Sequence, residues 1–423
     1  MASLITLPVL LATGLVAAAQ EPAPSKDAKE ELLPGAKLLY KFPKEVYRIP
    51  ALLDTPKGPR LLLWVDASEP PPDNADVTRI KPSEFDLICW DVTASKELYR
   101  MSSPKDTPPL SPVPPGQSAL AHVPGLFGSL ALAPDGKRLA YVRVSSYQDA
   151  PGKFMRQAVM EINLYDPATR KWRPAVPGEY KSQSGPHILF APDGTLVILK
   201  DQVCAIQDLE KPRPRQLFQL VRSRWFLSNP LQYGIREAVL SPDGSQLAVA
   251  ADGAVSVYDL GTGREVFQAP RATPEDKTGR GVAQTTERVA LAFSTSTKDP
   301  QLLAVEVVTG RPKDFALARL FNLKTKKELG HAVLAEQEAK GASDVGPPPW
   351  GQVHAYFTSQ GEPRVLFEGK LIDGATGKEL QQFDAGARLL VSRDGRYLVR
   401  LTRAKEEKKK MGVQVWSLEN NDK

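Results

Sequence analysis

The sequence predicts an all-β fold, a seven-bladed β-propeller closed by its own N-terminal strand, on three observations. One segment, Ala238 to Gln268, reads AVLSPDGSQLAVAADGAVSVYDLGTGREVFQ and parses as four short apolar strands separated by turn residues. Its landmarks recur seven times at blade-like spacing. The seventh unit lacks a fourth strand, and the stretch GAKLLYKF, Gly35 to Phe42, has the composition to supply it.

The first landmark is the turn between strands one and two. Pro-Asp-Gly presets φ at about −65°, then offers a local side-chain hydrogen bond, then permits positive φ. It recurs as Ala133-Pro134-Asp135-Gly136, Ala191-Pro192-Asp193-Gly194 and Ser392-Arg393-Asp394-Gly395, with looser versions at Pro56-Lys57-Gly58 and Ser359-Gln360-Gly361. The second landmark ends each third strand: Trp90-Asp91, Tyr165-Asp166, Gln207-Asp208, Tyr258-Asp259, Phe321-Asn322, Ile372-Asp373 and Trp416-Ser417. Six outer strands follow these ends, beginning at Lys96, Lys171, Arg215, Arg264, Lys327 and Lys378.

After Trp416-Ser417 only LENNDK remains, with no apolar content for a strand. Lys37-Leu38-Leu39-Tyr40-Lys41-Phe42 aligns position by position with Lys96-Glu97-Leu98-Tyr99-Arg100-Met101. Pairing it with the last blade replaces an open sheet edge with a closed ring.

These units resemble the WD-repeat β-propellers and the related Pro-Asp-Gly (Tol-type) propeller repeats of exported bacterial proteins. The resemblance covers nearly all of the chain after the leader. The Gly-His dipeptide and full Trp-Asp ending of the family are mostly missing, so its His-Ser-Trp-Asp network is not expected here. The blades are expected at roughly 46–102, 126–177, 185–221, 235–269, 287–334, 352–384 and 386–418, the last joined by 36–42. The alternative all-β reading, two packed sandwiches, fits a recurring four-strand period less well.

Leu4 to Val16 is an uncharged, mostly apolar run, too short to span a membrane, and Ala17-Ala18-Ala19 offers a cleavage signal before Gln20. The expectation is a signal peptide over 1–19, a disordered spacer over 20–34 and a soluble, exported protein, periplasmic or extracellular. No later run suggests a transmembrane segment. The net charge of +6 is mild for 423 residues and suits an anionic partner as well as plain solubility, without a motif for specific nucleic-acid binding.

Strand parity puts the one-to-two and three-to-four turns on one face of the ring. The long segments fall almost wholly on the other: Asp66 to Glu84, Ser102 to Gly128, Ser145 to Ala158, Val221 to Arg236, Pro270 to Glu287, Ala335 to Gly351 and Arg403 to Met411. Long loops on one face of a rigid scaffold are where such folds carry binding. Arg224, Trp225, Phe226 and Trp350 fall in them as candidate contact residues. The run Lys405 to Lys410 reads as a solvated loop.

Counting back seven residues from each turn glycine reaches the start of the innermost strand, at the mouth of the channel on the long-loop face. Ala51, Ser129, His187, Glu237, His354 and Arg388 stand there, with Ala290 equivalent in blade five. Ser129, His187, Glu237, His354 and Arg388 form a polar rim, read either as a hydrated edge or as a ligand-contacting one. The chain carries no zinc, phosphate-loop or nucleophile-elbow motif, and no cofactor is expected. The primary reading is therefore a non-catalytic binding scaffold and a monomer, whose partner is a protein or a cell-envelope component. The alternative is an enzyme, a hydrolase or lyase, with a shallow rim site using His187 as base and Glu237 to orient it. Cys89 and Cys204 fall on third strands of blades one and three, too far apart to bridge, and are expected as buried free thiols.

Overall fold

The computed structural model describes residues 36–42, 51–53, 55, 58–66, 85–102, 118–119, 127–148, 156–169, 171–174, 180–181, 187–199, 202–209, 213–220, 235–251, 254–270, 284–310, 313–338, 353–383, 388–392, 395–403 and 411–418. The compact unit that holds every sheet runs from Gly35 to Lys423. Its regular elements are all strands, in seven antiparallel sheets.

Blade one comprises Ala51–Leu53, Arg60–Asp66, Phe85–Asp91 and Lys96–Ser102, from channel to circumference. Blade two comprises Phe127–Leu132, Leu139–Gln148, Arg156–Asp166 and Lys171–Pro174, with two added strands, Ser118–Ala119 and Tyr180–Lys181. Blade three is His187–Phe190, Leu196–Leu199, Gln202–Ile206 and Arg215–Gln219; blade four is Ile235–Leu240, Gln246–Ala251, Ala254–Asp259 and Glu265–Pro270. Blade five is Gln284–Phe293, Gln301–Gly310, Lys313–Asn322 and Lys327–Glu338; blade six is Val353–Phe357, Pro363–Phe367, Lys370–Asp373 and Glu379–Gln382. Blade seven is Arg388–Val391, Tyr397–Arg403 and Met411–Ser417, and its outer strand is Lys37–Lys41.

The N-terminal strand closes the ring as predicted: Lys37 lies opposite Ser417, Leu38 opposite Trp416 and Lys41 opposite Gln414. It also carries a β-bulge at Leu39, one residue that has no partner in the register. The outer strands of five other blades bulge at their second or third residue, at Leu98, Leu217, Val266, Leu329 and Leu380. A bulge twists a strand and spoils its free edge as a template for further pairing. The shared defect marks Lys37–Lys41 as a true fourth strand.

Alternate side chains of a strand point to opposite faces, and in this ring both faces are covered by a neighbouring blade. Leu61 and Leu63 pack with Val399 and Val415 of blade seven, whereas Leu62 packs with Leu132 and Tyr165 of blade two. Likewise Leu196 and Ile198 face blade two, and Val197 and Leu199 face blade four. This is why the middle strands are unbroken apolar runs rather than alternating ones.

The short turns share one face. A Cβ added to Gly244, in the turn of blade four, would stand 2.6 Å from Pro192 Cδ in the turn of blade three. At the second type of turn the terminal Asp or Asn side chain accepts a backbone N–H three residues on: Ala94 to Asp91 at 2.9 Å, Thr262 to Asp259 at 2.7 Å, Thr325 to Asn322 at 2.8 Å and Thr376 to Asp373 at 2.9 Å. In these turns the strand-ending side chain itself closes the turn.

Two kinds of expectation need correction, loop extents and the burial of one thiol; strand reaches into Pro270 to Glu287 from Gln284 and into Ala335 to Gly351 as far as Glu338. Ser145 to Ala158 is not a loop throughout: the middle strands of blade two extend to Gln148 and restart at Arg156, paired to each other, because Val144 to Tyr147 and Gln157 to Met160 meet in one ladder. Cys204 is half-buried rather than buried, packed against the margin of the cluster between blades two and three; Cys89 is buried. Both thiols are free, and they face blade two from either side.

Candidate functional site

The inner strands place the predicted rim at one end of the channel. Ala51, His187 and Arg388 begin their strands, His354 is second, Ser129 and Glu237 are third, and Ala290 is seventh in the long inner strand of blade five. Arg224, Trp225, Phe226, Trp350 and the run Lys405 to Lys410 lie outside the described residues.

The two rim histidines make the same kind of contact. His187 Nε2 lies 2.9 Å from the carbonyl oxygen of Ile235, the first residue of blade four. A carbonyl only accepts, so this nitrogen carries the ring proton and Nδ1 is left bare. His354 hydrogen-bonds the backbone of Leu389, at the start of blade seven. Burial disfavours the imidazolium in both. It lowers His187 below its ordinary range and takes His354 down to about 4, against the opposing pull of each backbone bond.

Glu237 turns back to its own strand, accepting the Ala238 N–H at 3.2 Å. His187 Nε2 is thus committed to the Ile235 backbone and one Glu237 oxygen to the Ala238 backbone. The histidines act as stitches between consecutive inner strands. Among the described residues, no group of three His, Cys, Asp or Glu side chains is placed to hold a metal ion.

Sequence reasoning missed the charged groups buried beneath the turns. Arg60, the first residue of its strand, pairs with Asp91 at 2.9 Å with both side chains nearly enclosed. Arg364 repeats this with Asp373 at 2.9 Å in blade six. In each case the two residues are direct cross-strand partners. An Arg within the first two residues of the second strand and an Asp closing the third was the available signal. A second buried pair, Arg319 and Glu306, lies inside blade five, whereas Arg364 and Asp373 are part-buried.

The long-loop face is not level. In blade two the second strand runs five residues past Arg143, where the inner strand stops, to Gln148. In blade five the second strand likewise runs five residues past Val305, the partner of Ala290, to Gly310, and the third strand restarts at Lys313. Five residues at about 3.4 Å each raise these hairpins by roughly 17 Å. Ser118–Ala119 and Tyr180–Lys181 flank the raised part of blade two.

No family model matches the chain, and no curated protein matches it. Among solved structures it is similar to hydrazine synthase of Kuenenia stuttgartiensis, with 15% identity and a TM-score of 0.38 over 66% of this chain and 75% of that one. It is also similar to the β-propeller domain of Cps50 (Swd1) from Myceliophteria thermophila, with 12% identity and a TM-score of 0.48 over 90% of this chain and 99% of that one.

Proposed function

We propose that this propeller is an exported, non-catalytic binding scaffold of the Pro-Asp-Gly repeat type, which engages a protein or cell-envelope component through its long-loop face. The observation that supports it most is the pair of hairpins raised on that face in blades two and five. Strands raised on opposite sides of a rigid ring bracket the channel mouth. The opposite face is closed by short turns whose Asp and Gly residues are committed to their own backbone.

The test pairs two variants of the full chain in affinity capture from envelope extract. Trp225→Ala with Trp350→Ala is expected to abolish capture of the partner, and His187→Ala with Glu237→Ala to leave it intact. The reverse pattern would favour a reactive rim instead.

A further inference from the structure

The large hydrophobic side chains most open to solvent among the described residues are Leu38, Leu98, Leu329, Val333 and Leu380, between 38% and 58% exposed. All five stand on outermost strands, and those strands belong to four consecutive blades, five, six, seven and one. On blades three and four the equivalent Leu217 and Val266 are half-buried, packed against the clusters at their own junctions. Among the described residues the exposed row is thus confined to one arc of the circumference.

Charge follows the same arc. Lys327, Lys37 and Lys96 open the outer strands of blades five, seven and one, and Lys378 immediately precedes that of blade six. None of these four ammonium groups has an ion-pair partner among the described residues. The carboxylates beside them are taken: Glu97 by Arg100 at 2.8 Å, Glu328 by His331 at 3.0 Å and Glu379 by Lys370 at 2.8 Å. Asp91 and Asp373, which end the preceding strands, are held by Arg60 and Arg364. Each blade of the arc therefore offers one uncompensated Lys and, one or two residues on, an exposed Leu.

Geometry narrows the partner. Bulges at Leu39, Leu98, Leu329 and Leu380 interrupt the outer edges, so these edges are poor templates for an added β-strand. The first and last strands of the arc lie three steps of a seventh of a turn apart, about 150°, so a flat surface reaches two neighbouring strands at most. Blades that pack about 10 Å apart at mid-blade splay to roughly twice that at the outer strand, a span of about six extended residues. We propose that the circumference of blades five, six, seven and one is a second binding surface, distinct from the long-loop face. It takes an extended acidic segment of a partner protein, which sets an apolar side chain against each Leu and a carboxylate beside each Lys.

The probe is a labelled peptide of about 24 residues built from Glu, Gly and Ser with Leu at roughly every sixth position, titrated with the full chain by fluorescence anisotropy. Binding is expected, and it should weaken by about tenfold or more when the peptide leucines become Ser, or when Leu98→Ser, Leu329→Ser and Leu380→Ser are combined in the protein. Lys96→Glu, Lys327→Glu and Lys378→Glu together should have the same effect. Arg215→Glu with Arg264→Glu, on blades three and four, should have none. No binding would overturn the proposal. Equal affinity for the Ser peptide, or equal loss from the Arg pair, would overturn it by reducing the contact to diffuse charge. Phosphatidylglycerol vesicles that bind in place of the peptide, and are lost with the same three leucines, would overturn it in favour of a lipid surface. The Ser peptide is compared on the unsubstituted chain, so that result stands whether or not the variants fold.

Discussion

The indole of Trp90, at the end of the third strand of blade one, lies 4.7 Å from the ring of Tyr40 in the strand that closes blade seven. Phe42 packs edge-on against the same indole. The first described residues of the propeller are thus anchored twice, by backbone pairing to blade seven and by aromatic contact to blade one.

Removing that anchor should be costly. Trp90→Ala is expected to lower stability by about 3–5 kcal/mol, the range for a large buried aromatic. Deletion of 35–42 should lower the melting temperature sharply, since it also exposes the edge of Met411–Ser417. An unchanged melt for the deletion would contradict ring closure.

Turns between third and fourth strands need a left-handed residue at their last position. Gly263 and Gly377 fill it with φ of 69° and 75°, but Ser95 and Lys326 hold φ of 51° and 58° there. Ser95→Gly and Lys326→Gly are each expected to raise stability by up to about 1 kcal/mol, the lower end of the left-handed penalty. Gly377→Ala should do the opposite, because its Cβ would also stand 2.9 Å from that of Ala332. Urea unfolding midpoints at constant slope measure both directions.

Arg60 and Asp91 test the buried pairs. Arg60→Met leaves a carboxylate enclosed without its partner and is expected to cost about 3–5 kcal/mol. Arg60→Met with Asp91→Leu should recover a large part of that loss, and a double variant as unstable as the single one would show that the pair itself, not the stranded charge, matters.

Acid should weaken the fold through His354. Its pKa falls from the ordinary 6.5 to about 4 through burial, with Tyr356, Arg364 and Asp373 in the next row of its own blade and Arg400 in the facing row of blade seven. As pH falls from 6.5 towards 4 the unfolded chain takes up this proton first, so stability present above 6.5 is lost, by about 3 kcal/mol in total. His354→Gln should flatten the dependence of the unfolding free energy on pH in that window.

The thiols give a labelling test. Burial pushes Cys89 up to about 11 and also raises Cys204, so neither is a ready thiolate near neutral pH. The native chain should label slowly, with half-buried Cys204 ahead of Cys89, and the denatured, unreduced chain should show both cysteines. Fewer than two reactive thiols would contradict their separation by a whole blade.

The sequence by itself determined the blade count, the strand order and the closing strand, because each rests on local chemistry that repeats. Pro-Asp-Gly can do little but turn, and Lys37 to Phe42 copies the pattern of Lys96 to Met101 down to the residue that bulges. The apolar runs were legible as strands for the same reason.

What only the tertiary structure decided lies between blades. His187 and His354 look alike as free polar rim residues, yet each is bound to a neighbouring backbone, since contacts across a junction join residues some 35 to 48 positions apart that leave no periodic trace. Glu237 turning to Ala238, and Leu61 and Leu62 meeting different blades, depend on which face of a strand a neighbour covers. Period-two alternation separates the two faces of a strand, but when both are buried it does not say which neighbour each one meets.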